Sequence, residues 1–381
     1  MSEWKEYTIG EICLRFSSGK SIKASQISTE GLYPVYGGNG LRGFTDTFNF
    51  DGECSIIGRQ GAYCGNVRYF KGKAFMTEHA IVAVVNENHN NGYVSNLLSM
   101  MNLAQYQGQS AQPGLSVSTL SKITIKLPDL ATQEQCFNVL NLIDQKIQIN
   151  NQINQELEDM AKTLYDYWFV QFDFPDQNGK PYKSSGGKMV CNPELKREIP
   201  EGWGVEKLGD ITICHDSKRV PLSSNDRELV KGKIPYYGAT GIMDYVNDYI
   251  FDGDYVLMAE DGSVMTEKGT PILQRISGKN WVNNHAHVLE PVKNHSCKLL
   301  MMLLKDVSVM KIKTGSIQMK INQENMNKIV VPAIPLELLF EINQKLEVID
   351  KQQLNLIEEN KQLTQLRDWL LPMLMNGQVK V

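Results

Sequence analysis

Three groups of residues have types and spacings that could do chemistry. Tyr36-Gly37-Gly38-Asn39-Gly40 fits the outline of a loop that binds S-adenosylmethionine, aromatic-x-Gly-x-Gly. Transfer of a methyl group to a base amine needs a companion, an Asn or Asp followed by Pro-Pro and an aromatic, and the chain has none. A second stretch, Tyr237-Gly238-Ala239-Thr240-Gly241, lacks the middle glycine, so turn geometry explains both more economically. Pro175-Asp176 with Glu194-Leu195-Lys196, and Pro128-Asp129 with Asp144-Gln145-Lys146, match the two acids and lysine of a metal-dependent nuclease. One match lies in a polar Gly/Pro/Ser segment and the other runs into a helical pattern, whereas the chemistry wants a strand. His285 and His287 stand at strand spacing, as two metal ligands would, but the related segment around His79 has Ile81 at the second position. Structural histidines are the plainer reading. The seven cysteines form no CxxC pair, and neither GxxxxGK[ST] nor GxGxxG occurs. These patterns describe a non-catalytic chain.

One glycine-rich stretch changes the question. "FDGECSIIGRQG" at 50–61 looks like a phosphate cradle, yet "FDGDYVLMAEDG" returns at 251–262 with Gly52 and Gly61 matched by Gly253 and Gly262. "EWKEYTIGEI" answers "GWGVEKLGDI", "YPVYGGNG" answers "IPYYGATG", and "AFMTEHAIV" answers "NWVNNHAHV" after a short insertion. An internal repeat of this size defines the architecture. The stretch therefore marks a module present twice.

Within each copy, short apolar runs such as "CSIIG", "AIVAVV", "YVLMA" and "KIVV" predict strands. "VSNLLSMMNLAQY" and "CKLLMMLLKDV" predict helices. The expected fold class is α+β, with two similar globular domains separated by two long coiled-coil helices, a pseudo-two-fold internal repeat. The expected boundaries are a first domain over 1–131, a helical spacer over 132–171, a Pro/Gly/Ser/Lys-rich connector over 172–200, a second domain over 201–335 and a final helix over 336–381. Leu140, Ile143, Ile147, Asn150, Asn154, Leu157, Ala161, Leu164 and Trp168 alternate at spacings of three and four, as a coiled-coil seam does. Leu346, Ile349, Gln353, Leu356, Asn360, Leu363, Arg367 and Leu370 repeat it. Polar residues midway along each seam would fix the register, because a slipped pairing leaves a buried amide without a partner. Helices of about 30 residues span roughly 45 Å, more than a small domain needs for cover, so a spacer is expected.

The bulk properties agree. A chain of 381 residues exceeds one ordinary core. A net charge of -4 argues against a non-specific cationic binder but leaves room for a local basic groove. Residues 1–30 carry charges throughout and no run of 18 apolar residues occurs, so neither a leader nor a membrane partner is expected and the predicted location is the cytoplasm.

In their order, these motifs resemble the specificity (S) subunits of type I restriction-modification systems. The resemblance spans essentially the whole chain and rests on "PVYGGNG" and "PYYGATG", "IIGRQGAYCGNV" and "LMAEDGSVMTEKGTPILQ", "NNHAHVL", "FDFPDQNGKPYK" and "REIPEGW". It implies two long helices packed as an antiparallel coiled coil that hold two target-recognition domains at opposite ends, in a subunit that selects double-stranded DNA as two short elements around a gap. Methyltransferase (M) subunits and restriction/translocase (R) subunits would be its partners. No cofactor is expected in this chain; S-adenosylmethionine would be held by the methyltransferase. A stand-alone adenine methyltransferase or nuclease, and a protein-only assembly scaffold, are the competing readings. Phosphates call for Lys, Arg and backbone amides, and base edges for Arg, Lys, Asn, Gln and Ser. Such residues on Gly- or Ser-rich turns are Lys20, Lys23, Arg42, Arg59 and Gln60 in the first copy, with Lys218, Arg219, Lys268, Asn283 and Asn284 in the second. Arg59 aligns with Glu260 and Gln60 with Asp261, the divergence that two different base preferences require.

Overall fold

The computed structural model describes residues 4–108, 114–315 and 319–379, and the chain divides into two units, Met1–Asn151 with Glu358–Val381, and Gln152–Ile357. In the first unit, strand β1 (Lys5–Thr8) leads into a single helical turn, α1 (Ile9–Ile12). Thr8 and Glu11 start that turn by reciprocal capping: Glu11 N–H donates to Thr8 Oγ1 at 3.3 Å, and Thr8 N–H donates to Glu11 Oε2 at 2.6 Å. Six strands follow, β2 (Cys13–Ser18), β3 (Tyr33–Gly37), β4 (Gly40–Thr45), β5 (Phe50–Gly58), β6 (Val67–Met76) and β7 (Ala80–Val85). They form one sheet in the order β2-β7-β5-β6-β3-β4, antiparallel except where β3 runs parallel to β6. The apolar run of β7 is buried almost throughout because it is a central strand. Helix α2 (Asn91–Met100), capped by Asn90, packs on β5, β6 and β7. A further turn, α3 (Val117–Leu120), precedes β8 (Thr124–Leu127), which pairs antiparallel with β1. The Phe-Asp-Gly motif now has a local role. Gly52 of β5 lies opposite Gly72 of β6, with φ of +136° and +126°, so both strands bend at one shared position that a side chain would resist.

Helix α4 (Leu130–Tyr165) supplies its first part to this unit and ends beyond it in a π-helical turn, Asp166–Val170. In the second unit a hairpin of β9 (Met189–Asn192) and β10 (Arg197–Pro200) precedes β11 (Gly204–Lys207), α5 (Leu208–Ile211) and β12 (Thr212–Cys214). Next come α6 (Ser224–Leu229), β13 (Lys231–Tyr237), β14 (Ile242–Val246), β15 (Phe251–Asp252), β16 (Tyr255–Ala259), β17 (Leu273–Ile276), β18 (Lys279–Val282) and β19 (Ala286–Pro291). The unit continues through α7 (Cys297–Leu304), β20 (Lys313–Thr314), β21 (Lys320–Ile321), α8 (Gln323–Asn327) and β22 (Val330–Ala333), which pairs with β11 as β8 pairs with β1. Two four-stranded sheets, β12-β19-β16-β17 and β14-β13-β18-β15, replace the single six-stranded one. The order is that of the first unit cut in two. Gly253 (φ +152°) separates β15 from β16, and Gly278 (φ +70°) separates β17 from β18, where β5 and β6 ran through.

Helix α9 (Leu336–Met375) begins in the second unit and ends in the first. Within each unit α4 and α9 run antiparallel. In the first, Leu140 and Ile143 are buried and Ile147 half-buried; Leu363 and Leu370 on α9 are half-buried, and Leu374 is buried. Asn150, fully buried, donates through Nδ2 to Glu359 Oε2 (2.7 Å) and Asn360 Oδ1 (2.9 Å), while half-buried Asn360 donates to Asn151 Oδ1 (2.9 Å). Arg367 on α9 reaches Asp144 at 3.0 Å. In the second unit Leu157, Ala161, Trp168, Leu346 and Ile349 are buried and Leu164 and Leu356 half-buried; Gln353 Nε2 donates to the backbone oxygen of Asn154 at 3.1 Å. Buried Lys298 of α7 joins both helices there, bonding Glu158 Oε2 and, at 2.8 Å, Gln353 Oε1.

The 172–200 segment is more than the connector its composition suggests. Phe172 and Phe174 are buried in the core of the second unit, and Trp203 stacks on Phe174 (5.3 Å, 20°) and meets Phe172 edge-on (5.7 Å). Its aromatic residues decide its structure and its Gly and Ser residues only its turns.

Candidate nucleic-acid interface

At one edge of the first unit's sheet, four turns meet. The β3–β4 turn, Gly37 to Gly40, lies against Arg42, against Thr77, against the backbone at Arg59 and Gln60, and against the Arg68 guanidinium: a Cβ on Gly37 would sit 2.7 Å from Arg42 Cδ, and one on Gly40 2.5 Å from Arg68 Nη1. Arg59 N–H donates to His79 O (3.0 Å), Thr77 N–H to Tyr36 O (2.8 Å) and Lys20 N–H to Met76 O (2.9 Å). Gln60 bridges to Gly114. Lys20, Arg42, Gln60, Arg68 and His79 are exposed and Arg59 half-buried. Arg59 Nη1 has a long hydrogen bond to Ser18 Oγ (3.4 Å), and none of Lys20, Arg42, Arg59 and Arg68 has a carboxylate partner among the described residues. Four cations gathered at these turns, on the turns themselves or on the strands beside them, with no carboxylate partner among the described residues, are what an anionic backbone or a guanine edge requires.

The second unit has the same scaffold with opposite chemistry. Glu260 N–H donates to His285 O (2.8 Å) as Arg59 does to His79 O; Ile321 N–H donates to Glu260 O (2.8 Å) as Leu115 does to Arg59 O (2.9 Å). Glu260 therefore occupies the place of Arg59. Its carboxylate accepts from Arg219 Nη1 (2.6 Å) and Lys320 Nζ (2.9 Å), and Arg219 also donates to Ala286 O (2.7 Å) and pairs with Asp216 (3.3 Å). Asp216 Oδ2 meets His287 Nδ1 at 2.5 Å, and His287 Nε2 faces Ile321 O at 2.8 Å, so both ring nitrogens are engaged. Burial works to raise the Glu260 carboxyl, but the hydrogen bonds from Lys320 and Arg219 outweigh it and hold it below its ordinary value. For Asp216 burial is outweighed in the same way, by the hydrogen bond and charge of His287. Cys214 Sγ, Asp216 and His287 lie within 4.8 Å of one another, a spacing that metal ligands share, but burial pushes the thiol up to about 12 and both imidazole nitrogens are already committed. With Arg219 and Lys320 alongside, the cluster is an internal ion network.

Two expected contact residues are engaged inside the unit. Arg219 has a side chain only 11% exposed and is consumed by Asp216 and Glu260. Asn283 is buried, its Oδ1 accepting from His285 N–H (2.8 Å) and its Nδ2 facing Met243 Sδ (3.4 Å). Both lie on polar turns, and each adds to a local partner, Asp216 or the His285 N–H, others from distant segments: Glu260 and Ala286 for Arg219, and Met243 for Asn283. Lys218 is exposed on the Asp216–Lys218 turn and Asn284 is exposed beside the network, its backbone oxygen 3.4 Å from Arg219 Nη1. Lys268 is exposed on the Thr266–Thr270 turn and Lys23 precedes the Ala24–Gln26 turn; neither is drawn to the edge by a contact. Arg68 stands within strand β6, away from the Gly- and Ser-rich turns that mark the other candidates in the sequence. The exposed pair of His285 Nδ1 and Asp261 Oδ1 (2.5 Å) is not among those candidates either, although its spacing across the repeat could have signalled it.

Comparison with known proteins agrees with this duplication. The model of the type I restriction modification DNA specificity domain matches residues 1–159 and again 200–365. The chain is 40% identical over 146 residues to the EcoprrI type I restriction enzyme specificity subunit of Escherichia coli, covering 37% of this chain and 36% of that one. It is 32% identical over 163 residues to a putative type I restriction enzyme specificity subunit of Haemophilus influenzae, S.HindORF215P, covering 42% and 41%. It is 26% identical over 300 residues to the MjaIX specificity subunit of Methanocaldococcus jannaschii, covering 73% and 66%. The first two alignments thus span well under half the length of those relatives. The fold matches the crystal structure of a type I restriction-modification S subunit from M. genitalium, with a TM-score of 0.62 at 17% identity over 98% of this chain and 96% of that one. No helix among the described residues is long and apolar enough to cross a membrane. With both halves of the chain matched by the one family model, the protein belongs to the type I restriction modification DNA specificity domain family.

Proposed function

We propose that this chain is the non-catalytic specificity subunit of a type I restriction-modification complex. Each unit reads one short element of an asymmetric, bipartite site in double-stranded DNA, and the α4 and α9 helices dock methyltransferase subunits and set the gap. The methyltransferase partner holds S-adenosylmethionine and modifies adenine, and a restriction/translocase subunit completes the complex. The observation that carries the reading is the pair of topologically equal sheet edges whose turns differ in chemistry, Arg59 in one and Glu260 in the other. Equal scaffolds with unequal side chains suit two different half-sites, and joining them in one chain gives each the other's binding energy through effective concentration.

Selection from a randomised duplex pool, by the full chain with and without a cognate methyltransferase subunit, tests this. The expected outcome is an enriched sequence of two specific blocks at fixed separation, with affinity falling as salt rises. Absence of any enriched bipartite sequence overturns the reading. Adenine methylation by the purified chain alone would show it to be a methyltransferase.

A further inference from the structure

The two edges can be superposed position by position through their pairing registers, and three arginines of the first unit have no counterpart in the second. Arg42 lies under Gly37, and Met243 lies in the same place under Gly238. Arg59 is matched by Glu260 through the hydrogen bonds each makes to the backbone of His79 or His285. Arg68 faces Ile56 across β5 and β6, and Gln274 faces Leu257 across β16 and β17. The replacements do different things. Gln274 donates to Gly238 O (2.9 Å) and Ala239 O (3.0 Å), tying down its own turn, and Glu260 closes the ion network. Met243 is exposed and uncharged. Arg42 and Arg68 are exposed, half-buried Arg59 makes only a long bond to Ser18, and no carboxylate among the described residues engages any of the three.

Resting on the DNA-recognition reading above, we propose that the first unit reads a guanine-containing element through Arg42, Arg59 and Arg68, whereas the second unit reads its element without arginine. The chemistry is selective. A guanidinium donates two parallel N–H bonds, and guanine alone offers two acceptors, O6 and N7, side by side in the major groove. Methionine, an internally bonded glutamine and a paired glutamate cannot replace that. The second unit instead presents the His285–Asp261 pair and Asn284, with Lys218 for phosphate. Asp261 can accept from a cytosine amine and Asn284 can bond an adenine edge.

The test uses the full chain and the variants Arg42→Met and Arg68→Gln, which install side chains that the second unit already accommodates at those positions. Their melting temperatures establish that they fold. The duplex selected by the wild type is compared with the same duplex carrying 7-deazaguanine, which lacks the N7 acceptor. The expected result is about a 10-fold loss of affinity when 7-deazaguanine enters one block. That loss disappears in the variants, and they relax sequence preference in that block alone. Conversely, Met243→Arg should bring a new guanine preference into the other block. A bipartite site whose blocks both keep their preference in the variants would refute the arginine assignment and leave the DNA-recognition reading intact. So would a uniform loss across all sequences, which would make the arginines phosphate contacts. Failure to enrich any bipartite site removes both.

Discussion

Glu260→Gln isolates the ion network that distinguishes the two units. Glu260 is 8% exposed and receives Arg219 at 2.6 Å and Lys320 at 2.9 Å, with His287 Nδ1 at 3.7 Å. Glutamine preserves the shape and one carbonyl acceptor for Arg219 but removes the charge. Breaking a buried pair by removing one partner costs about 3–5 kcal/mol, and a retained hydrogen bond returns about 1 kcal/mol. Because Lys320 is half exposed and can rehydrate, a net loss of about 2–3 kcal/mol is expected. For a unit of this size that lowers Tm by about 4–10 °C at pH 7. The sign of the pH dependence follows from the carboxyl being held below its ordinary value near 4.5. Its contribution is complete above that value and is lost as pH falls through the lowered one. The gap between wild type and variant should therefore be full at pH 7 and close in acid. Scanning calorimetry across pH measures it, and hydrogen exchange at the amides of β16 and β19 assigns it to the second unit. Equal melting at pH 7, or a gap undiminished once the carboxyl is protonated, would refute the reasoning.

Gly92→Ala in α2 ought to stabilise by about 1 kcal/mol on helix propensity. The added methyl would sit 2.1 Å from Phe137 Cε2, so a loss of about 1–3 kcal/mol in urea unfolding is expected instead. Arg275 holds Asp350 of α9 with two bonds (3.1 and 3.0 Å) and Asp254 with a third (2.9 Å). Arg275→Lys cannot reproduce the fork and should cost about 1–2 kcal/mol, read by the same denaturation. Replacing Asn150 and Asn360 together by Leu removes both members of a hydrogen-bonded pair, one buried and one half-buried, and should leave stability equal or higher. Light scattering after gel filtration should then show mixed association states, because apolar seams slip where paired amides do not.

Much of the fold was legible before any coordinates. The duplication shows in the matched order of motifs, and the helical seam shows in the recurrence from Leu140 and from Leu346, because helical packing obeys a period that the chain itself carries. Turn chemistry likewise pointed to Lys20, Arg42, Arg59 and Gln60, which the fold brings to one edge. Which of the candidates stay exposed depends on contacts made beyond the turn that carries them. Arg219 and Lys218 are neighbours of the same charge on the same turn, yet Arg219 is closed off by Glu260 and Asp216 while Lys218 stays in water. Asn283 and Asn284 part in the same way, and Phe172 and Phe174 turn an apparent connector into core. Arg68 reaches the edge only because β3 runs parallel to β6 and lays the Gly37 to Gly40 turn over it. Periodicity, repetition and turn preference are local and were determined by the sequence alone. Whether a charge is free to meet a ligand depends on which other charges the backbone brings within a few ångströms, and only the tertiary structure decided that.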